Sequence, residues 1–292
     1  MPAHLSPRSL REIRAQYIAA LGWGEFHQVL KQFEERDDVV SSPQGYREIL
    51  LWFESDLYDQ LQLLQVLDLL GASGAIRERV CLLCRHGVLA TLPAEQTRAL
   101  VGGKEQVSGR QFESAAAVWA AFRSPDPSPL EALVKAGFPE HPYLGAALFR
   151  LLQQFPSTHN GLSRSEHNAL EAIATGRSRL NEAFVASHHE REQAVFLGDC
   201  VFASYLEGMS VAERPLLTFD DGTPVQFPKD PNGRAAFWDR RAVETRAGED
   251  VLKGKQDNVR INGIHRWIGG VYLTGSGAVW RWDAESQSLQ YR

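Results

Sequence analysis

Two short apolar runs on either side of a leucine-rich segment constrain this chain more than any other feature. YREILLWF (residues 46–53) is apolar and aromatic without a helical period, as a buried strand is. DLYDQLQLLQVLDLL then sets Leu57, Leu61, Leu64 and Leu67 at helical spacing, with Asp59, Gln62, Gln65 and Asp68 among them. GASG (Gly71–Gly74) ends that helix, and RVCLLC (Arg79–Cys84) reads as a second strand. Strand, helix and strand at this spacing predict a βαβ unit with parallel strands.

Beyond Leu92 the pattern is helical. Ser108–Phe122 and Tyr143–Phe155 are the clearest helices, and Pro125, Pro127 and Pro129 mark a rigid turn leading into another. The character changes at FPSTHNGLSRSEHNALEAIATG, which predicts a boundary near Pro156 and two parts, 1–155 and 156–292. Ser163 and Glu166 have capping-box spacing, so Ser163 caps a helix that Gly176 ends. Leu180–Gln193 fits a second helix. GDCVFASYLEGM fits a third, capped by Asp199, with Phe202, Tyr205, Leu206 and Met209 inward. PLLTFDDGTPVQF then reads as two strands around an Asp221-Gly222 turn. Three helices followed by a hairpin is the order of a winged helix-turn-helix. From Val251 the chain is β-rich, with an Asn262-Gly263 turn, a bulge or kink at Gly269-Gly270, and two or three antiparallel strands.

Composition excludes several classes. A net charge of −5 over 292 residues leaves no global footprint for nucleic acid or anionic membrane. No apolar run reaches the roughly 18 residues of a membrane span. The N-terminal stretch reads as an amphipathic helix starting near Ser6 or Ser9 rather than as a signal peptide, and three cysteines do not make a secreted disulfide framework. A cytoplasmic location is expected.

LLWFESDLYDQLQLLQVLDLL, AAVWAAFRSPDPSPLEAL, FPSTHNGLSRSEHNAL, FLGDCVF and INGIHRWIGGVYL with WRWD, taken together, resemble the bacterial family catalogued as domain of unknown function 1835. Its usual C-terminal partner is domain of unknown function 3658. The resemblance implies an α/β N-terminal part and a helical C-terminal part, and no activity. Members commonly begin with a further strand ahead of the PAHLS-like segment, commonly have His where Ser55 stands, and often have Asp where His265 stands. The expected fold class is therefore α/β, with a small, N-terminally incomplete parallel sheet, followed by a mainly α winged-helix-like part and a short antiparallel β tail.

Glu54, Asp56, Asp59 and Gln60 follow the carboxyl end of a strand, where ligands collect in α/β sheets. Paired carboxylates there suit Mg²⁺ or proton transfer. Equally, Asp56 suits a helix cap and Asp59 the first turn beside the dipole. Ser157, Thr158, Asn160 and Arg164 gather at a helix start and suit either an anion or a turn tying the two parts together. Cys81, Cys84 and His86 lack a second ligand pair for zinc, and the two cysteines read as buried strand residues. His188 and His189, near Glu190 and Glu192, read as a solvated helix face. No glycine-rich phosphate loop or serine-hydrolase elbow occurs.

The winged segment opposes duplex DNA: residues 156–214 hold five arginines, no lysine and eight acids. Residues 240–292 are different, with nine basic and six acidic side chains. Arg260, Arg266 and Arg281 there lie near Trp267, Trp280 and Trp282, which fits a cation–π brace, core packing or single-stranded nucleic acid. The leading expectation is a binding or regulatory module with a polar pocket near Glu54 and a protein or small-molecule partner. The alternatives are a Mg²⁺-dependent hydrolase or phosphoryl-handling enzyme using Glu54 and Asp56, and a nucleic-acid-binding regulator. No membrane partner is expected.

Overall fold

A computed structural model describes residues 5–72, 74–87 and 92–292 and shows a mixed α/β chain with small sheets. It divides into two compact units. The first holds the described residues of Met1–Ala19, Gly24–Arg150 and Gly269–Val271; the second holds Ala20–Trp23, Leu151–Ile268 and Tyr272–Arg292. The main division lies between Arg150 and Leu151, ahead of Pro156.

Helices α1 (Pro7–Ala20) and α2 (Phe26–Ser41) precede β1 (Ile49–Glu54), α3 (Leu57–Leu70), α4 (Gly74–Arg77) and β2 (Val80–Arg85). Ser6 Oγ accepts the Ser9 N–H at 3.1 Å, which places a serine at the start of α1. β1 and β2 pair in parallel from Ile49↔Val80 to Glu54↔Arg85, so their carboxyl ends finish level. After α5 (Ala94–Leu100), the short β3 (Glu105–Gln106) joins β2 antiparallel, so the sheet is mixed. α6 (Gly109–Phe122), α7 (Ser128–Ala136) and α8 (Leu144–Leu152) follow. Ser108 and Gln111 close a full capping box on α6. α3 packs on α6, with Leu63, Leu64 and Leu67 of one and Phe112, Ala115 and Val118 of the other buried. Each such leucine contributes about 1.5–3 kcal/mol by leaving water. That burial holds the helix over the strand ends.

The second unit runs α9 (Arg164–Ala174), α10 (Leu180–Phe184), a π-helical turn at Val185–His189, α11 (Asp199–Ser210), β4 (Leu217–Phe219), α12 (Pro231–Asp239), β5 (Ala242–Glu244), α13 (Arg246–Leu252), α14 (Asn258–Asn262), β6 (Ile264–Ile268), β7 (Val271–Gly275), β8 (Trp280–Asp283) and β9 (Ser288–Tyr291).

Several expectations change here. The hairpin around Asp221-Gly222 has only its first strand, because β4 pairs antiparallel with β5 instead. Pro224 has no N–H for a ladder, and the Val225 N–H donates to Ser210 Oγ at 2.8 Å. Gly198, not Asp199, caps α11, and Asp199 sits inside the first turn. Asn258–Asn262 is helical because Asp257 caps it, and Gly263 at φ 71° ends it. Gly269-Gly270 is the turn between β6 and β7 rather than a bulge, and the tail holds four strands in two pairs.

One buried carboxylate ties the second unit together. Glu166, 6% exposed, closes the Ser163 capping box and forms a bidentate pair with Arg266 of β6. Burial alone would raise its pKa. The Arg266 charge and hydrogen bonds, with both Ser163 donors, outweigh burial and hold it below the ordinary glutamate range. A depressed carboxyl contributes stability above its unfolded pKa and loses it as pH falls through the folded value. Glu166→Gln should therefore cost about 3 kcal/mol at pH 7 by urea denaturation. The gap to wild type should close as pH drops below about 4; an equal gap at both pH values would contradict this account.

Candidate functional site

At the level ends of β1 and β2, the side chains of Asp56, Asp59 and Gln60 meet defined partners, and Glu54 takes part through its backbone. Asp56 caps α3, its Oδ1 accepting the Tyr58 N–H at 2.8 Å and the Asp59 N–H at 3.2 Å. Asp59 turns back along the chain, and its Oδ2 accepts the Glu54 N–H at 2.6 Å. Gln60 is 2% exposed and donates to the Glu54 carbonyl at 2.7 Å and to Cys84 Sγ at 3.3 Å. Ser55 is buried, with Oγ 2.9 Å from His86 Nδ1. The residues come together, but as a cap, a return turn and two cross-strand ties. Among the described residues, no group of three or more His, Cys, Asp and Glu is arranged to hold a metal ion. Cys81 and Cys84 are half-buried free thiols, less enclosed than expected, and Cys81 Sγ lies 3.6 Å from Glu48 Oε1.

The second predicted set separates. Asn160 is 1% exposed and locks a turn, its Oδ1 accepting from Ser157 Oγ at 2.8 Å and from the Leu162 N–H at 3.1 Å. Arg164 points to Gln153 Oε1 at 2.7 Å and to the Arg191 carbonyl at 3.0 Å. Thr158 is half-buried beside open space, its Oγ1 donating to Asp283 Oδ1 at 3.4 Å. The histidine pair divides as well: His189 is exposed, while His188 is buried. His188 Nε2 accepts the Leu197 N–H at 2.7 Å, with its ring beside Phe184 and Phe196. His188 stands four residues after Phe184 and eight after Leu180, on the inward stripe of this segment, so it is core where the polar neighbours suggest a solvated face.

The space that Thr158 faces is a cleft of about 690 Å³ in the second unit. Its cationic lining is Lys255, Arg260, Arg281 and Arg292, with His159 beside them, and the one side-chain carboxylate among the lining residues is Asp257. The chain builds it from separated segments. Residues 156–158 run beside β8, the Trp282 N–H donating to the Pro156 carbonyl at 2.9 Å and the Thr158 N–H to the Trp282 carbonyl at 2.8 Å. Arg281, 4% exposed, makes a bidentate pair with Asp257 at 2.7 and 3.0 Å, and Asp257 Oδ1 also caps α14 through the Arg260 N–H. Two glycines allow the close approach. A Cβ on Gly161 (φ 75°) would lie 2.8 Å from Asp257 Oδ1, and one on Gly254 (φ 68°) would lie 2.4 Å from the His159 ring.

Sequence reading missed this cleft as a site. Its signal was the excess of basic residues in the tail, where the arginines instead suggested tryptophan partners. In the structure Arg281 pairs with Asp257, and Arg266 pairs with Glu166 and lies over Tyr205 at 5.2 Å. Trp282 is buried in the core. Such a cleft can hold a multiply charged anion by forked hydrogen bonds from guanidinium groups.

No family model matches the chain, and comparison with curated proteins and with solved structures found no match.

The corner yields a test of what Asp56 does. Its carboxyl is raised above the ordinary aspartate value, by burial first and then by Asp59 and Glu54, against the backbone hydrogen bonds that lower it. A raised carboxyl contributes stability below its unfolded pKa and loses it as pH rises through the folded value. A neutral side chain of the same shape keeps the cap without that loss. Asp56→Ala should cost about 1 kcal/mol at pH 7, and Asp56→Asn should be at least as stable as wild type. Thermal melts at pH 7 read both, and an asparagine variant as unstable as the alanine variant would refute the cap.

Proposed function

We propose that this chain is a binding and regulatory module whose ligand is a small anion held in the basic cleft. The observation that carries the reading is the cleft's charge: four Lys or Arg side chains and a histidine around one carboxylate, in a volume suited to a small molecule. The ligand pocket therefore belongs at Thr158, Lys255 and Arg260 rather than at Glu54. At the Glu54 corner, Asp56 and Asp59 already accept backbone N–H groups, which favours architecture there over catalysis.

We read the helical part of this unit as winged-helix-like, with an insertion in its wing. Supporting this, residues 178–180 between α9 and α10 run antiparallel to residues 240–242 at the start of β5, which pairs in turn with β4 after α11. That is helix, strand, helix, helix and two strands, with α12 carried between the last two. The helix in the recognition position, α11, contains Asp199 and Glu207 but no lysine or arginine. This favours a protein partner over duplex DNA. The resemblance to domain of unknown function 1835, joined to domain of unknown function 3658, remains our proposed family, supported by segments in the same order along nearly the whole chain.

Thermal shift in orthophosphate or sulfate at constant ionic strength tests the reading, since a ligand of the folded state raises the melting temperature. Wild type should rise with the anion, Glu54→Gln should rise equally, and a Lys255→Glu, Arg260→Glu double variant should not. An equal rise in the double variant would move the site elsewhere.

A further inference from the structure

The cleft also restricts the kind of anion it takes, an inference that rests on the anion-binding reading above. The charges divide into those already paired and those available. Arg281 and Asp257 form a buried pair that is neutral as a unit, and Arg281 adds a bond to the Ser157 carbonyl at 3.3 Å. Arg281 therefore braces the cleft rather than meeting the ligand. Three cations remain. Arg292 donates one Nη2 hydrogen bond to the Thr158 carbonyl at 2.8 Å, which orients the guanidinium and leaves most of its donors. Lys255 is 59% exposed and stands 3.8 Å from Asp250, a pairing that water weakens. The exposed Arg260 contributes its backbone N–H to the Asp257 cap, while its guanidinium has no partner among the described residues.

These three cations stand on two walls. Lys255 and Arg260 flank the start of α14, and Arg292 follows β9 and is held against the Thr158 loop. Near neutral pH a single phosphate carries at most two negative charges, fewer than three cations balance. Two linked phosphates supply the charge that three cations balance and enough oxygens for both guanidinium forks.

The rest of the lining addresses the remainder of the ligand. Gly254, Ile261, Gly277 and Ala278 are small or aliphatic, and the lining contains no Phe, Tyr or Trp. Its one ring, His159, lies pressed against the Gly254 backbone, so that part of the ring is already covered. The cleft thus offers a nucleobase no Phe, Tyr or Trp face and only the uncovered part of the His159 ring.

We propose that the cleft binds a ligand carrying two phosphate groups and no nucleobase, either pyrophosphate or a bisphosphorylated sugar. Lys255 and Arg260 hold one phosphate, Arg292 holds the other, and the Arg281–Asp257 pair fixes the spacing between the walls.

Isothermal titration of the full chain at constant ionic strength tests this with four probes: orthophosphate, pyrophosphate, fructose 1,6-bisphosphate and ADP. Pyrophosphate or fructose 1,6-bisphosphate should bind about tenfold or more tightly than orthophosphate and more tightly than ADP. Whichever of the two binds better identifies the source of the phosphates. Arg260→Gln and Arg292→Gln should each remove most of that advantage. Arg260 is exposed, so its variant should keep the wild-type melting temperature, and its binding loss is then read free of unfolding. Orthophosphate binding as tightly as both two-phosphate probes overturns the inference and leaves the anion-binding reading in place. ADP binding more tightly than both shows that a base is recognised and also overturns it. Binding of none of the four overturns the reading beneath it.

Discussion

Burying a charge is tolerable only beside its opposite, and the second unit is organised around two such pairs. Arg281 is nearly inaccessible on β8 and is matched by Asp257, which also starts α14. Glu166 is enclosed at the start of α9 and is matched by Arg266 on β6. Each pair joins a strand of the tail to a helix start distant in sequence. Each carboxylate also closes a helix cap, so one side chain sets a local boundary and a long-range contact together. Removing either partner would leave a buried charge facing low dielectric, which makes these pairs geometric constraints even where their net contribution to stability is small.

The two polar regions show how similar residues take opposite roles. At the ends of β1 and β2 the carboxylates face backbone donors that a strand-to-helix corner leaves unsatisfied, so they settle as cap and turn. In the cleft, Asp257 is taken by Arg281, and Lys255, Arg260 and Arg292 line the same space. Acids at helix starts have local work to do. Lys255, Arg260 and Arg292, gathered by folding, leave most of their donors uncommitted, and on that difference rests our choice of the cleft over the corner as the ligand pocket.

Much of the first unit was legible because its signals are local. Leucine spacing, Asp56, the helical pattern of Ser108–Phe122 and the GASG stop act within a few residues, and the structure has α3, α6 and the parallel β1–β2 pair where they place them. The errors fell where a distant partner decides. β4 took β5 as its partner across an inserted helix, because Pro224 interrupts the adjacent segment. His188 is buried where its Nε2 meets the Leu197 N–H and its ring meets Phe196, partners outside its own helix. Thr158 was flagged for an anion beside Asn160 and Arg164, yet the turn and the Gln153 contact claimed the other two.

The sequence by itself determined the boundaries of α3, α6 and α9, the βαβ order, the acidic balance of residues 156–214 and the basic tail, because capping, periodicity and net charge depend on neighbours along the chain. Only the tertiary structure decided which charges neutralise each other and which remain available. Arg260, Arg266 and Arg281 look alike in sequence beside their tryptophans. Folding gives Arg266 to Glu166 and Arg281 to Asp257 and leaves Arg260 facing the cleft, since pairing depends on distance in space.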